Sequence, residues 1–283
     1  MKSVPKQLII DKDIFQGTNQ AALCRFTKNH FLIRPDVLLY ECLTNPEEKD
    51  ILQQRFEQVM LAGAYVCPRV NAIVFKEAQR LSPYAFLPDL KMTTDIRASI
   101  RKKNVSFDSH YIREIYEKHC QGAQTLLDAA PKTVEKIASQ EPELLEKAKK
   151  YQGNRAERFR LWVETVTSRD IHELAIEKLG HLTDSPERFC LSNEWITWNY
   201  FCFICVIYLE YTFLRTVGNE NLKLLKAEHD CQDIEYVTYL SRVDGLLTKD
   251  KKLAIPIANV AFPDKDVFSS LDEVPENYIC NWT

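Results

Sequence analysis

At 283 residues, with 45% hydrophobic residues, 27% charged residues and a formal net charge of −3, the chain reads as one core with a sizeable insertion. That charge excludes a polybasic nucleic-acid coat but leaves room for a local basic groove. The seven glycines form neither GxGxxG nor GxxxxGK(S/T), which excludes a Gly-rich phosphate cradle, and nine scattered cysteines point to free thiols in a reducing compartment.

In chain order, "MKSVPKQLII" has too short an apolar run for a signal peptide, so the protein is expected to be cytoplasmic. "QLIID" predicts a strand, "TNQAALCRFTKN" a helix, "FLIR" a second strand, and Pro35-Asp36 opens a helix through "VLLYECL". From about residue 46 to about 227 the period is helical. One face runs through Ile112, Ile115, Tyr116, His119, Cys120, Ala123, Leu126 and Leu127, and another through Phe159, Trp162, Val163 and Val166. Pro131, Pro142 and Pro186 mark helix starts. "RASIRKK" and "KAKKYQGNRAERFR" are basic stretches, read first as solvated helix faces and second as a groove lining.

"WITWNYFCFICVIYLEYTFL" is the most apolar segment. Asn199 and Glu210 interrupt it, so it is expected to be a buried central helix rather than a membrane span, and Cys202 and Cys205 a packed face rather than a metal site. The chain ends in a helix through "DIEYVTYLSRV", a strand "GLLT" and expected strands in "IPIANVAF". "PENYICNWT" carries no assignment. The sum is an α/β fold of three layers, its sheet formed by residues 1–45 and 228–283, with residues 46–227 a long helical insertion packed on that core.

Acids mark the ends of these elements. Asp11 closes "LIID", Glu41 lies inside the apolar "LLYECL", Asp233 opens a helix and Asp250 follows "GLLT". Residues 230, 233, 237 and 240 share a stripe made apolar by Val237 and Leu240, which puts Asp230 and Asp233 on its buried side. Ligands collect beyond the carboxyl ends of strands in open α/β sheets. Carboxylates gathered there need protons or a hard cation such as Mg²⁺ or Mn²⁺. Each acid also has a plain reading: Asp11 as a turn residue, Asp230 as a helix cap, Asp250 as a loop acid between lysines.

These segments resemble the PIN-like nucleases. "LIIDKDIF" looks like that family's first strand and metal-binding Asp, and "FLIRPDVLLYECL" is similar to its second strand and Glu-bearing helix. "HDCQDIEYVTYLSRVDGLLTKDKKL" resembles its Asp-led helix, short strand and Thr-x-Asp. The resemblance covers roughly residues 5–45 and 228–262. It implies a PIN-like sheet in which Asp11, Glu41, Asp233 and Asp250 bind metal, with Asp230 adjacent. It further implies Thr248 as a site residue and Lys249, Lys251 and Lys252 flanking a phosphate groove. Family members usually carry Asn where this chain has Asp13, which is assigned to the substrate side, and the helical middle is longer than in small members.

The expectation is a nuclease using one or two Mg²⁺ or Mn²⁺ ions on nucleic acid, RNA ahead of DNA, with no membrane partner. A homo-oligomer or an inhibitory protein partner stays open. Two alternatives stand beside it. "LIIDKDIFQGT" also looks like the first motif of haloacid-dehalogenase-type phosphatases, with Asp11 as nucleophile and Asp13 as acid/base. A non-catalytic scaffold that binds protein through its helices is the other. A serine or cysteine nucleophile has no supporting motif, since GxSxG is missing.

Overall fold

The structure is a computed structural model that describes residues 5–44, 49–85, 87–102, 142–167, 192–218 and 224–280, with residues 139, 183, 185 and 188 between them. The predicted helical face from 112 to 127 lies outside the described residues, as do Pro131 and Pro186. Among the described residues, five strands alternate with eleven helices. The strands are β1 (Gln7–Ile10), β2 (Phe31–Pro35), β3 (Tyr65–Cys67), β4 (Gly245–Leu247) and β5 (Asp266–Phe268). The helices are α1 (Lys12–Gly17), α2 (Gln20–Asn29), α3 (Asp36–Thr44), α4 (Lys49–Ala62), α5 (Val70–Arg80), α6 (Leu90–Arg101), α7 (Pro142–Lys149), α8 (Arg155–Thr167), α9 (Ile196–Thr216), α10 (Leu224–Tyr239) and α11 (Ala254–Ala261).

All neighbouring strands pair in parallel, in the order β3-β2-β1-β4-β5. The central strands are short apolar runs because a parallel sheet is covered on both faces: Leu8, Ile9 and Ile10 of β1 are fully buried, as are Leu32 and Ile33 of β2. One charged side chain sits among them. Arg34 of β2 lays its guanidinium over the Phe56 ring at 3.7 Å and the Phe15 ring at 4.9 Å, and donates to the Phe56 carbonyl. Cation–π contact keeps a buried charge tolerable there.

The helices fall into two packed groups: α2, α4 and α6 together, and α5, α8, α9, α10 and α11 together. The connection from β3 back to β4 contributes to both groups, α6 to the first and α5, α8, α9 and α10 to the second. Helix α9 is apolar on all sides because neighbours surround it. It is long and apolar enough to cross a membrane by length and composition, yet 72% of its apolar window is buried by the rest of the fold. Its N-terminus is capped by the buried Glu77 of α5, which accepts from the amides of Ile196 and Thr197 and from the Thr197 hydroxyl. Cys202 and Cys205 lie on this helix as free thiols, their pKa values raised by burial, for Cys205 to about 12. Among the described residues no group of three His, Cys, Asp or Glu is placed to hold a metal ion, there or elsewhere.

Four expectations need correction. Asp233 does not open a helix and Asp230 does not cap one: α10 begins at Leu224, and both acids lie in its interior, because the apolar stripe that marks the helix in the sequence shows only in its second half. "IPIANVAF" is not strand but helix α11, with Pro256 in its first turn, where a missing N–H costs nothing. A short, wholly apolar run has no period to tell the two apart. Strand β3 falls inside the stretch 46–227, so that stretch contributes to the sheet as well as packing on it. The basic stretches do not simply face solvent either. Arg97 donates to the carbonyls of Met60 and Ala64, while Arg155 and Arg158 turn inward to buried acids.

Candidate functional site

Because every strand runs the same way, their carboxyl ends share one edge. Along it stand Arg69 after β3, Asp36 after β2, Asp11 after β1 and Thr248 after β4. The chain moves outward from β1 to β3, then returns to build β4 on the other side of β1. That reversal opens a crevice between the β1 and β4 ends, the place where such sheets bind ligands.

Asp11 occupies this point. Its amide continues the ladder by donating to the Leu247 carbonyl at 2.9 Å. Although it stands at the N-cap of α1, its side chain makes no capping bond to the amides deeper in that helix. Instead it accepts from the Thr248 hydroxyl across the switch point. Burial first, and then the Glu41 charge, push its carboxyl up to about 7 despite that bond.

Helix α3 brings Glu41 to the same place. Its carboxylate is buried and held from two sides: the Tyr236 hydroxyl donates to Oε2 at 2.5 Å, and Lys12 Nζ stands 3.6 Å from Oε1. Burial raises its pKa, and Lys12 works against that rise. Helix α10 supplies Asp233, three residues before Tyr236 and so on the same face. The residue is partly exposed. Burial, then Asp11, Glu41, Asp250 and Asp230 in that order, raise its pKa well above the ordinary range. Among the described residues no side chain or amide hydrogen-bonds that carboxylate.

Asp11, Glu41, Asp233 and Asp250 are thus near enough to act electrostatically on one another, without forming a metal-holding group among the described residues, and their oxygens are not equally available. Asp250 folds its carboxylate over the turn into α11 and accepts from the amides of Lys252 (2.8 Å), Leu253 (3.2 Å) and Ala254 (3.0 Å). The plain loop-acid reading is therefore part of its role. Asp230 is diverted further: it pairs with Arg155 and accepts from the Tyr211 hydroxyl at 2.9 Å, which makes it a tie between α10, α8 and α9. Thr248 is fully buried, with its hydroxyl proton given to Asp11 and its oxygen accepting from the Asp250 amide. It positions Asp11 and does not face a substrate.

Lys249, Lys251 and Lys252 are exposed on the loop after β4. Lys249 reaches back over the end of α1, where a Cβ added to Gly17 would meet its Nζ at 3.5 Å. Asp13 is exposed on α1, near enough to raise the pKa of both Asp11 and Glu41.

Three further groups belong to this edge and were not singled out in the sequence. Asp36 follows β2 as Asp11 follows β1, so the same strand-end rule would have found it. Glu235 of α10 lies beside it, pushed up to about 8 by burial, and Arg69 tempers both. Lys12 is the third: nothing in its position 29 residues before Glu41 announces the ion pair. Comparison of the chain with models of protein families, with curated proteins and with solved structures finds no match.

Proposed function

We propose that the protein is a divalent-metal-dependent nuclease that hydrolyses phosphodiester bonds, with RNA ahead of DNA as substrate. The observation that carries this reading is the meeting of buried carboxyls at the β1/β4 switch point, Asp11 against Thr248 and Glu41 against Tyr236 and Lys12, with Asp233 near enough for Asp11 and Glu41 to raise its pKa. The donors there are carboxylate oxygens, which suit hard ions such as Mg²⁺ or Mn²⁺. No ready-made cage of three ligands exists among the described residues, and none is required, because Mg²⁺ is commonly held by one or two carboxylates with waters and substrate phosphate completing its shell.

Asp11 and Asp233 would hold the ion, since their oxygens are the least engaged by other donors. Such an ion supplies a bound water of lowered pKa and a charge for the scissile phosphate. Thr248 keeps the Asp11 carboxylate turned across the crevice, and Tyr236 does the same for Glu41. Lys249, Lys251 and Lys252 place positive charge at the rim, where a phosphate backbone is attracted without base selection.

The test is cleavage of labelled RNA and single-stranded DNA with Mn²⁺, comparing the wild type with Asp11→Asn. The expected result is a loss of at least about 100-fold on substitution and no cleavage in chelator. Undiminished, metal-independent cleavage by Asp11→Asn would rule the mechanism out.

A further inference from the structure

Arg55 of α4 reaches the C-terminal end of α1, where its Nη1 donates to the carbonyls of Phe15 at 2.6 Å and Gln16 at 2.5 Å. Those bonds satisfy carbonyls that a helix end leaves without intrahelical partners, and they use one corner of the guanidinium. The edge formed by Nε and Nη2 is the fork that matches two oxygens of a carboxylate or a phosphate. Nε is buried without a hydrogen-bond partner, and no acid forms an ion pair with Arg55 among the described residues.

Two more donors stand at the same end of α1. Gln16 buries its Nε2 with no partner, and Lys249 Nζ lies 3.5 Å from where a Cβ on Gly17 would stand. Gln16 and Arg55 are each partly exposed and Lys249 is exposed, so a ligand can reach them from solvent. A buried donor without an acceptor is costly. A tether for α1 accounts for Nη1 alone: it needs no open fork on Arg55 and no second orphaned donor on Gln16. An anion accounts for all three groups.

The place in the fold says which anion. Lys249 follows Thr248, which binds Asp11, so the loop after β4 touches both ends of α1. Gln16 lies five residues past Asp11, about 7 Å along a helix axis, a span of the order of one nucleotide along a single strand. Resting on the nuclease reading for the identity of the ligand, we infer that Gln16, Arg55 and Lys249 form a subsite for a backbone phosphate adjacent to the one cleaved. Arg55 takes two of its oxygens through Nε and Nη2, Gln16 donates from Nε2, and Lys249 supplies charge from the rim. The subsite fixes the register of the strand in the crevice and takes no part in bond breaking.

The experiment is fluorescence anisotropy of a labelled single-stranded RNA with the intact protein in chelator, repeated over a range of salt. The wild type should bind. Arg55→Gln should weaken binding about 10-fold and flatten the slope of log affinity against log salt by about 0.7, the share of one phosphate contact on a single strand. Gln16→Ala, which removes no charge, should weaken binding at unchanged slope. If Arg55→Gln does not fold by circular dichroism, Arg55→Lys replaces it: the charge stays, the fork is lost, and binding should weaken at unchanged slope. No binding by the wild type, a wild-type slope in Arg55→Gln, or wild-type affinity in Gln16→Ala or Arg55→Lys overturns the inference. Those outcomes leave the nuclease reading standing, since it fails instead where Mn²⁺ produces no cleavage.

Discussion

Asp230 illustrates how a single residue's role is decided by its partners rather than by its place on a helix. Its stripe on α10 points it at the acid pocket, but Arg155 and the Tyr211 hydroxyl take it first. Next to it the buried Glu210 accepts from Arg158 through Nε at 3.0 Å and Nη2 at 2.7 Å, and from the Trp162 indole at 3.0 Å. These bonds staple α8, α9 and α10 together. Removing one side of such a pair strands the other charge in a poorly solvated place. Asp230→Asn is therefore expected to lower unfolding free energy by about 2–3 kcal/mol in urea denaturation, while Mn²⁺ binding is retained. Loss of metal binding with unchanged stability would return Asp230 to the ligand set. The sequence could not reveal this diversion, because Arg155 lies 75 positions away in a stretch that composition alone presents as basic surface.

At the scale of elements, legibility followed length and boundary. Strands β1, β2 and β4 were readable because each is an apolar run stopped by an acid, a proline or a hydroxyl. Strands β3, "YVC", and β5, "DVF", are as short as β4, but β3 is embedded in a long helical period and β5 opens on the charged Asp266, so neither stood out. Their pairing is dictated instead by the neighbours they complete. Strand β4 depends on such neighbours most. At Gly245 a Cβ would stand 2.9 Å from Leu8 Cδ2, 3.0 Å from the Tyr278 hydroxyl and 3.2 Å from Phe268 Cε2. Glycine is thus needed there to let β1, β5 and the C-terminal turn close together, with no positive φ involved. Gly245→Ala should cost about 1–3 kcal/mol through overpacking, read as a fall in melting temperature. An unchanged melt would mean the packing at β4 relaxes freely. Since Thr248 hangs from the end of this strand, the same variant should also loosen Asp11, an effect visible as weaker Mn²⁺ binding.

For the whole molecule, the acid edge sets stability against function. Asp11 was legible by its strand end and Glu41 by its apolar surroundings, whereas Asp233 was read as a helix start and stands in the interior of α10. Their mutual repulsion was not legible, since it exists only once distant segments meet. Asp11 moves from an ordinary value of 3.8 to about 7, Glu235 to about 8, and Asp233 and Glu41 move in the same direction. The folded chain therefore holds these protons more tightly than the unfolded chain. Their favourable contribution is complete below the unfolded values and is lost as pH climbs through the folded ones, from about 4 to about 8. In chelator the melting temperature should fall between about pH 5 and about pH 8. On the proposed reading, a saturating divalent ion is expected to take the protons' place at the upper pH and, at 100 times its dissociation constant, to return about 2.7 kcal/mol. Asp233→Asn separates the two effects. It removes the carboxylate that four others repel, so the metal-free protein should melt higher than wild type at about pH 8 and gain nothing from Mn²⁺. A variant that melts lower without metal, or that is still stabilised by Mn²⁺, would show that Asp233 is held by something other than the strain of a pocket built for a cation.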